Sequence, residues 1–91
     1  MDVCKRVCLK PDFILERIDN DIAVYHPSLT TSIYLNESGA LIWELCDGTH
    51  RVADIIDLLK QAYPDHSSTI EKDVITVVGQ LVDHGLACLE D

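Results

Sequence analysis

Residues 31–48 read Thr-Ser-Ile-Tyr-Leu-Asn-Glu-Ser-Gly-Ala-Leu-Ile-Trp-Glu-Leu-Cys-Asp-Gly. The stretch changes its period at Asn36. Thr31-Ser32-Ile33-Tyr34-Leu35 is rich in β-branched and aromatic residues, which fit a pleated, half-buried surface. Asn36 can cap a helix, and Glu37 and Ser38 suit an acidic and polar first turn. Ala40, Leu41, Ile42, Trp43, Leu45 and Cys46 then fill the turns behind, and Asp47-Gly48 stops the helix. A strand therefore feeds straight into a helix.

Upstream lie two more β runs. Phe13–Ile18 is short and partly alternating, Asp19-Asn20-Asp21 is a turn cluster, and Ile22–His26 follows, ended by Pro27-Ser28. With Thr31–Leu35 these predict a three-stranded antiparallel meander. Residues 1–10 show no clear period and are expected to form a loosely ordered N-terminal segment, with Pro11 opening a single domain over 11–91. Downstream, Val52, Ile55, Ile56, Leu59, Ala62 and Tyr63 follow the spacing of one buried helix face. Pro64-Asp65-His66 breaks that helix. Ser68 with Glu71 three residues later is a capping-box candidate for a third helix from about Ile70 to His84. Gly85 is placed to end it, and Leu86–Leu89 can add a short closing strand. The expected class is α+β: a three-stranded antiparallel sheet followed by three helices packed on it.

The length of 91 residues leaves room for one core only. Apolar residues make up 47%, so wholesale disorder is excluded. The longest apolar runs fall well short of a membrane span, and no signal peptide is visible, which predicts a cytoplasmic protein without membrane contact. Net charge is -9, and residues 36–91 carry three basic against eleven acidic side chains. Such a surface repels a phosphate backbone and disfavours nucleic-acid binding; a basic or mixed-charge peptide is the better electrostatic match.

Chemistry-bearing patterns are sparse. There is no Gly-rich phosphate loop and no nucleophile elbow. Asp54 and Asp57 are read as a solvated helix face. His26, His50, His66 and His84 lack helical metal-ligand spacing and are read as surface or turn residues. Cys4 and Cys8 are the one weak metal hint; a structural zinc site would pair a tighter spacing with a second such pair. Cys46 and Cys88 lie in apolar stretches and read as small buried hydrophobes. Neither an enzymatic activity nor a metal or other cofactor is expected.

Two features suit binding. The strand Thr31–Leu35, if it lies at the edge of the sheet, offers free N–H and C=O groups to a peptide or to a second copy of the chain, which would make a homodimer. On the third helix, Ile70, Val74, Val77 and Leu81 fall on one side, and Ile75, Val78 and Val82 widen that side to an arc of about 160°. An arc that wide either packs entirely into the core or lines a groove along one border. Tyr25, Tyr34 and Trp43 are core anchors on the plain reading, and Tyr34 could instead stand beside a binding edge.

The block Leu35-Asn36-Glu37-Ser38-Gly39-Ala40-Leu41-Ile42-Trp43-Glu44-Leu45-Cys46-Asp47-Gly48-Thr49 carries a resemblance. It is followed by Val52-Ala53-Asp54-Ile55-Ile56 and Leu59, preceded by Val24-Tyr25-His26-Pro27, and trailed by Tyr63-Pro64, Asp73-Val74 and Leu81–Leu86. In this order the set resembles the PqqD-like family over about residues 12 to 89. These are small peptide chaperones, or recognition elements, of pathways that modify ribosomally made precursor peptides. The resemblance implies a three-stranded sheet followed by three helices, shaped like a winged helix-turn-helix. It implies non-catalytic binding of a leader peptide, which adds a strand to Thr31, Ser32, Ile33, Tyr34 and Leu35 and rests against the third helix, with Val74, Ile75, Val78 and Val82 as candidate groove wall. A modifying enzyme, often a radical S-adenosylmethionine maturase, would be the second partner. Two alternatives stand beside this reading: a winged-helix-like regulator, which the acidic charge opposes, and an interaction domain whose partner is not a precursor peptide.

Overall fold

The computed structural model describes residues 2–10, 13–27 and 31–90. Five strands and three helices follow one another as β1 (Arg6–Leu9), β2 (Ile14–Ile18), β3 (Asp21–His26), β4 (Thr31–Leu35), α1 (Glu37–Leu45), α2 (Val52–Ala62), α3 (Ser67–Asp83) and β5 (Ala87–Glu90), with a 3-10 turn at Pro64–His66. The chain is mixed α+β, as its periodicities predict.

The meander forms as expected. Strands pair antiparallel in the order β2-β3-β4, with Ile14 opposite Tyr25 and Ile22 opposite Leu35. Asp19 turns the first hairpin at φ 56°, a left-handed conformation that a short polar side chain tolerates. Ile22, Ala23 and Val24 are buried in succession. Successive strand residues face opposite ways, so the central strand is covered on both faces.

The N-terminal residues differ from expectation. Rather than lying loose, Arg6–Leu9 pairs antiparallel with Ala87–Glu90, and Val7 is fully buried. The backbone explains why. Val52 and Ala53 at the start of α2 have no intrahelical acceptors for their N–H groups, and the Lys5 and Val3 carbonyls accept them at 3.0 and 2.9 Å. Val7 N–H in turn donates to the His50 carbonyl, and Gly48 N–H to the Val7 carbonyl. Four residues are too few for a readable period, so the pairing was invisible in the sequence. Pro11, the expected start of the folded part, lies outside the described residues.

Asn36 caps α1, its Oδ1 accepting Gly39 N–H at 2.9 Å. The expected box at Ser68 and Glu71 is not formed. Ser67 is already helical, because the 3-10 turn begun by Pro64 runs directly into α3, and Ser68 is therefore inside the helix. Thr69 Oγ1 closes this join by donating to the His66 carbonyl, and Glu71 pairs with Lys60 at 3.8 Å. At the other end of α3, Gly85 takes φ 74° while Gly85 and Leu86 N–H donate to the Val82 and Leu81 carbonyls. That pattern is a Schellman motif, with Leu86 buried behind it.

One core runs between the sheet and the helices. Ile22, Val24, Ile33, Leu35, Ile42, Trp43, Val52, Ile55, Val74, Val78 and Leu81 belong to it. Phe13 meets the Trp43 ring edge-on, with centroids 5.0 Å apart. The predicted inner face of α2 holds at Val52, Ile55 and Ile56, but Ala62 and Tyr63 are exposed, and Tyr63 borders a cleft instead. Among the described residues no helix is long and apolar enough to cross a membrane.

Candidate functional site: an open strand edge beside a groove

Among the described residues, β4 has a neighbour in the sheet on the β3 side only. Alternate N–H and C=O groups along its other side therefore point away from the ladder. Its side chains alternate too. Ile33 and Leu35 enter the core, whereas Ser32 and Tyr34 are exposed, Tyr34 by 77%. Tyr34 stands opposite Ala23 in register, so the aromatic ring projects from a small-residue position on the outer face.

A groove of about 500 Å³ opens between the end of β4, the start of α1 and one side of α3. Tyr34 and Leu35 form one wall, Ser38, Gly39 and Ile42 the floor, and Asp73, Thr76, Val77 and Gln80 the α3 wall. A second cleft of about 340 Å³ adjoins it between α1, α2 and the beginning of α3, sharing Ser38, Ile42 and Asp73 and reaching Leu41, Leu59 and Tyr63. The acidic residues along both clefts are Asp21, Glu37 and Asp73, and His66 is the one titratable base. Neither cleft is lined by an Arg or Lys among the described residues; Arg17 pairs with Glu44 at 3.0 Å and Lys60 with Glu71 at 3.8 Å.

The nine sequence-predicted residues are distributed unevenly. Thr31 is described by its backbone alone, which pairs with His26 in the ladder. Tyr34 and Leu35 border the groove, and Ser32 is exposed on the same strand. Ile33 is a core residue. Val74 and Val78, expected in the groove wall, are fully buried in the core, and Ile75 and Val82 are half-buried without lining either cleft. The reason is rotational. The centre of the apolar arc points straight down between sheet and helices, so the groove meets α3 at the border of the arc, at Val77 and the polar Thr76 and Gln80. An arc shows where a helix is apolar but not which neighbour covers each border.

Among the described residues no cluster of three or more His, Cys, Asp or Glu side chains could hold a metal ion. Burial pushes the Cys46 thiol up to about 12, and its Sγ donates to the Ile42 carbonyl. It is a packing group rather than a nucleophile. The site offers main-chain hydrogen bonds, an aromatic ring and an apolar floor with an acidic border, which is the equipment of a peptide-binding surface.

Comparison with known proteins points the same way. The family described as coenzyme PQQ synthesis protein D (PqqD) matches residues 21–87. A protein of Methylococcus capsulatus described as a PqqA binding protein is 42% identical over 53 residues, covering 58% of this chain and 55% of that protein. The match thus spans little more than half of that relative's length. Two solved structures share the fold. TbiB1 in complex with the TbiA(beta) leader peptide superposes with a TM-score of 0.72 at 22% identity, covering 88% of this chain and 93% of that one. A lasso peptide synthetase B1 complexed with the leader peptide superposes with a TM-score of 0.71 at 26% identity, covering 91% of this chain and 98% of that one.

Proposed function

The chain belongs to the PqqD family, and from that premise we propose that it binds the leader region of a ribosomally made precursor peptide and presents the rest of that peptide to a modifying enzyme, itself catalysing nothing. The observation that carries this reading is the coincidence of an unpaired β4 edge with a groove bordered by Tyr34, Leu35, Thr76 and Val77. The match to a PqqA binding protein and to two leader-peptide complexes supports it.

In this proposal Thr31–Leu35 supplies the pairing edge. Strand addition gives affinity through the main chain, with little demand on peptide sequence. Selectivity comes from side chains that alternate into the groove, where the apolar floor takes one residue and the border of Asp21 and Asp73 favours a cationic neighbour. Holding the leader raises the effective concentration of the core peptide at the enzyme. By family resemblance that enzyme is a radical S-adenosylmethionine maturase, and the encounter takes place in the cytoplasm, where the peptide is made.

The test is a titration of isotope-labelled protein with the leader of a short peptide encoded beside its gene, followed by amide NMR. Saturable shifts confined to 31–35 and the 73–80 side of α3 are expected. A flat titration with a well-dispersed spectrum would overturn the peptide assignment, and shifts that depend on protein concentration alone would point to a second copy on the edge.

A further inference from the structure

The two-stranded sheet that joins the chain ends carries a feature the peptide reading does not use. Cys8 and Cys88 are direct partners in the β1–β5 register. Directly opposed residues of an antiparallel pair stand on the same face, with Cα atoms about 4.5–5.5 Å apart. A disulfide spans Cα separations of about 4.4–6.8 Å. Both thiols are free, both are half-buried rather than sealed in the core, and both reach the same carboxylate: Cys8 Sγ lies 3.3 Å from Glu90 Oε2 and Cys88 Sγ 3.6 Å from Glu90 Oε1.

We propose that Cys8 and Cys88 form a reversible thiol–disulfide site that takes a low-molecular-weight disulfide as its oxidant and locks β1 to β5. One protein thiolate attacks a sulfur of the small disulfide and releases its first thiol. The second protein thiolate then attacks the mixed disulfide, forming the Cys8–Cys88 bond and releasing the other. The two protein thiols give up two protons and two electrons, and the small disulfide becomes two thiols. Partial burial and the Glu90 carboxylate hold the Cys8 thiol above its ordinary range, with Arg6 acting the other way, so it is the opposed register rather than an activated thiolate that directs the bond. The other two cysteines lack an opposed thiol, although Cys4 is exposed and can carry a glutathione of its own. Cys46 is sealed in the core, and Cys4 lies in the turn before β1 without a strand partner.

The consequence reaches beyond the ends. The same N-terminal stretch supplies the Val3 and Lys5 carbonyls that receive the first N–H groups of α2, so a covalent β1–β5 tie fixes the cap of that helix. The bond would close residues 8–88 into one loop, and a cross-link restricts the unfolded state more as the loop lengthens.

The test is to incubate the folded full chain with oxidised glutathione and map the products by intact mass and peptide mass spectrometry. The expected product is lighter by two hydrogens, linked only between Cys8 and Cys88, restored by dithiothreitol, and raised in thermal midpoint by about 10 °C or more. C4S should behave as the parent does, and C8S and C88S should show no rise. A Cys4–Cys8 link, glutathione adducts that persist on Cys8 or Cys88, or an equal midpoint for the oxidised and reduced chain would overturn the proposal. The mapping on the parent chain needs no variant to fold.

Discussion

Gly39, in the first turn of α1, lies flush against Leu35, the last residue of β4: a methyl group on its α-carbon would stand 3.0 Å from Leu35 Cβ and 3.2 Å from Leu35 Cδ2. The strand passes into the helix through Asn36 alone, so the backbone doubles back over Leu35 and a side chain fits there only if Leu35 gives by a few tenths of an ångström. Glycine is there for space, since its φ is not in the left-handed region. Gly39 and Leu35 both border the groove, and their contact sets the angle between the pairing edge and the helix beside it.

Gly39→Ala tests that contact. Alanine improves helix propensity by about 1 kcal/mol, but forcing a methyl into a filled space costs about 1–3 kcal/mol. The collision is with Leu35 Cβ, which cannot swing away without moving β4. A net loss of up to about 2 kcal/mol is expected in urea unfolding, together with weaker leader binding. A raised midpoint would show that β4 and α1 can separate without cost.

Tyr34→Ala separates binding from folding. Tyr34 is 77% exposed, so its loss should cost less than about 1 kcal/mol of stability, within the range of a cross-strand pair on an open face. Large aromatic side chains at a binding surface dominate affinity, and a rise in leader Kd of about tenfold is expected by isothermal calorimetry. Leu35→Ala should instead lower stability by about 2–5 kcal/mol, the cost of a cavity in the core.

A matched pair on α3 tests which side of the helix faces the groove. Val78 is fully buried, and Val78→Asp places an unpaired carboxylate among apolar neighbours. The penalty of several kcal/mol is comparable with the whole stability of a small domain, so loss of the dispersed NMR spectrum is expected. Thr76 is exposed and lines the groove. Thr76→Trp should keep the spectrum, fill the groove, and lower leader affinity at least tenfold. A folded Val78→Asp chain with lost binding would instead restore Val78 to the groove wall.

The contrast between Val78 and Thr76 marks how far the sequence could be read. The switch of period at Asn36, the meander, the helix stops at Gly48 and Gly85 and the candidate edge at Thr31–Leu35 are local patterns, each written in adjacent residues. The groove wall is not local. It depends on the rotation of α3 against α1 and β4, and a helical wheel orders residues around an axis without saying what stands beside it. The β1–β5 pairing was hidden for a related reason: Cys8 and Cys88 are opposed only because both chain ends meet, and neither four-residue strand has a period of its own. Tyr34 fell between the two cases, since alternation with Ile33 and Leu35 points it outward once the inner face is known.

The loop between α1 and α2 should impose a specific acid sensitivity. The Asp47 carboxylate accepts Thr49 N–H at 2.9 Å and Thr49 Oγ1–H at 2.5 Å, and His50 Nδ1 lies 3.1 Å away. The Thr49 side-chain bond, then the Thr49 backbone bond and, more weakly, His50 hold this carboxyl at about 2 rather than its ordinary 3.8. The folded loop therefore binds its proton more weakly than the unfolded chain does, so the stabilisation is complete above the ordinary carboxylate range and is lost as pH falls through it toward about 2. Gly48 and His50 of the same loop hold Val7 of β1, so loosening should spread to the N-terminal strand. The midpoint of urea unfolding, followed from about pH 5 down to about pH 2.5, should fall more steeply for the parent chain than for Asp47→Asn, whose amide oxygen still accepts Thr49 N–H but has no proton to gain. Amide exchange at Val7 should quicken over the same window in the parent and less in the variant. Equal slopes would mean that the carboxylate contributes nothing the amide cannot, and that the loop is held by its backbone alone.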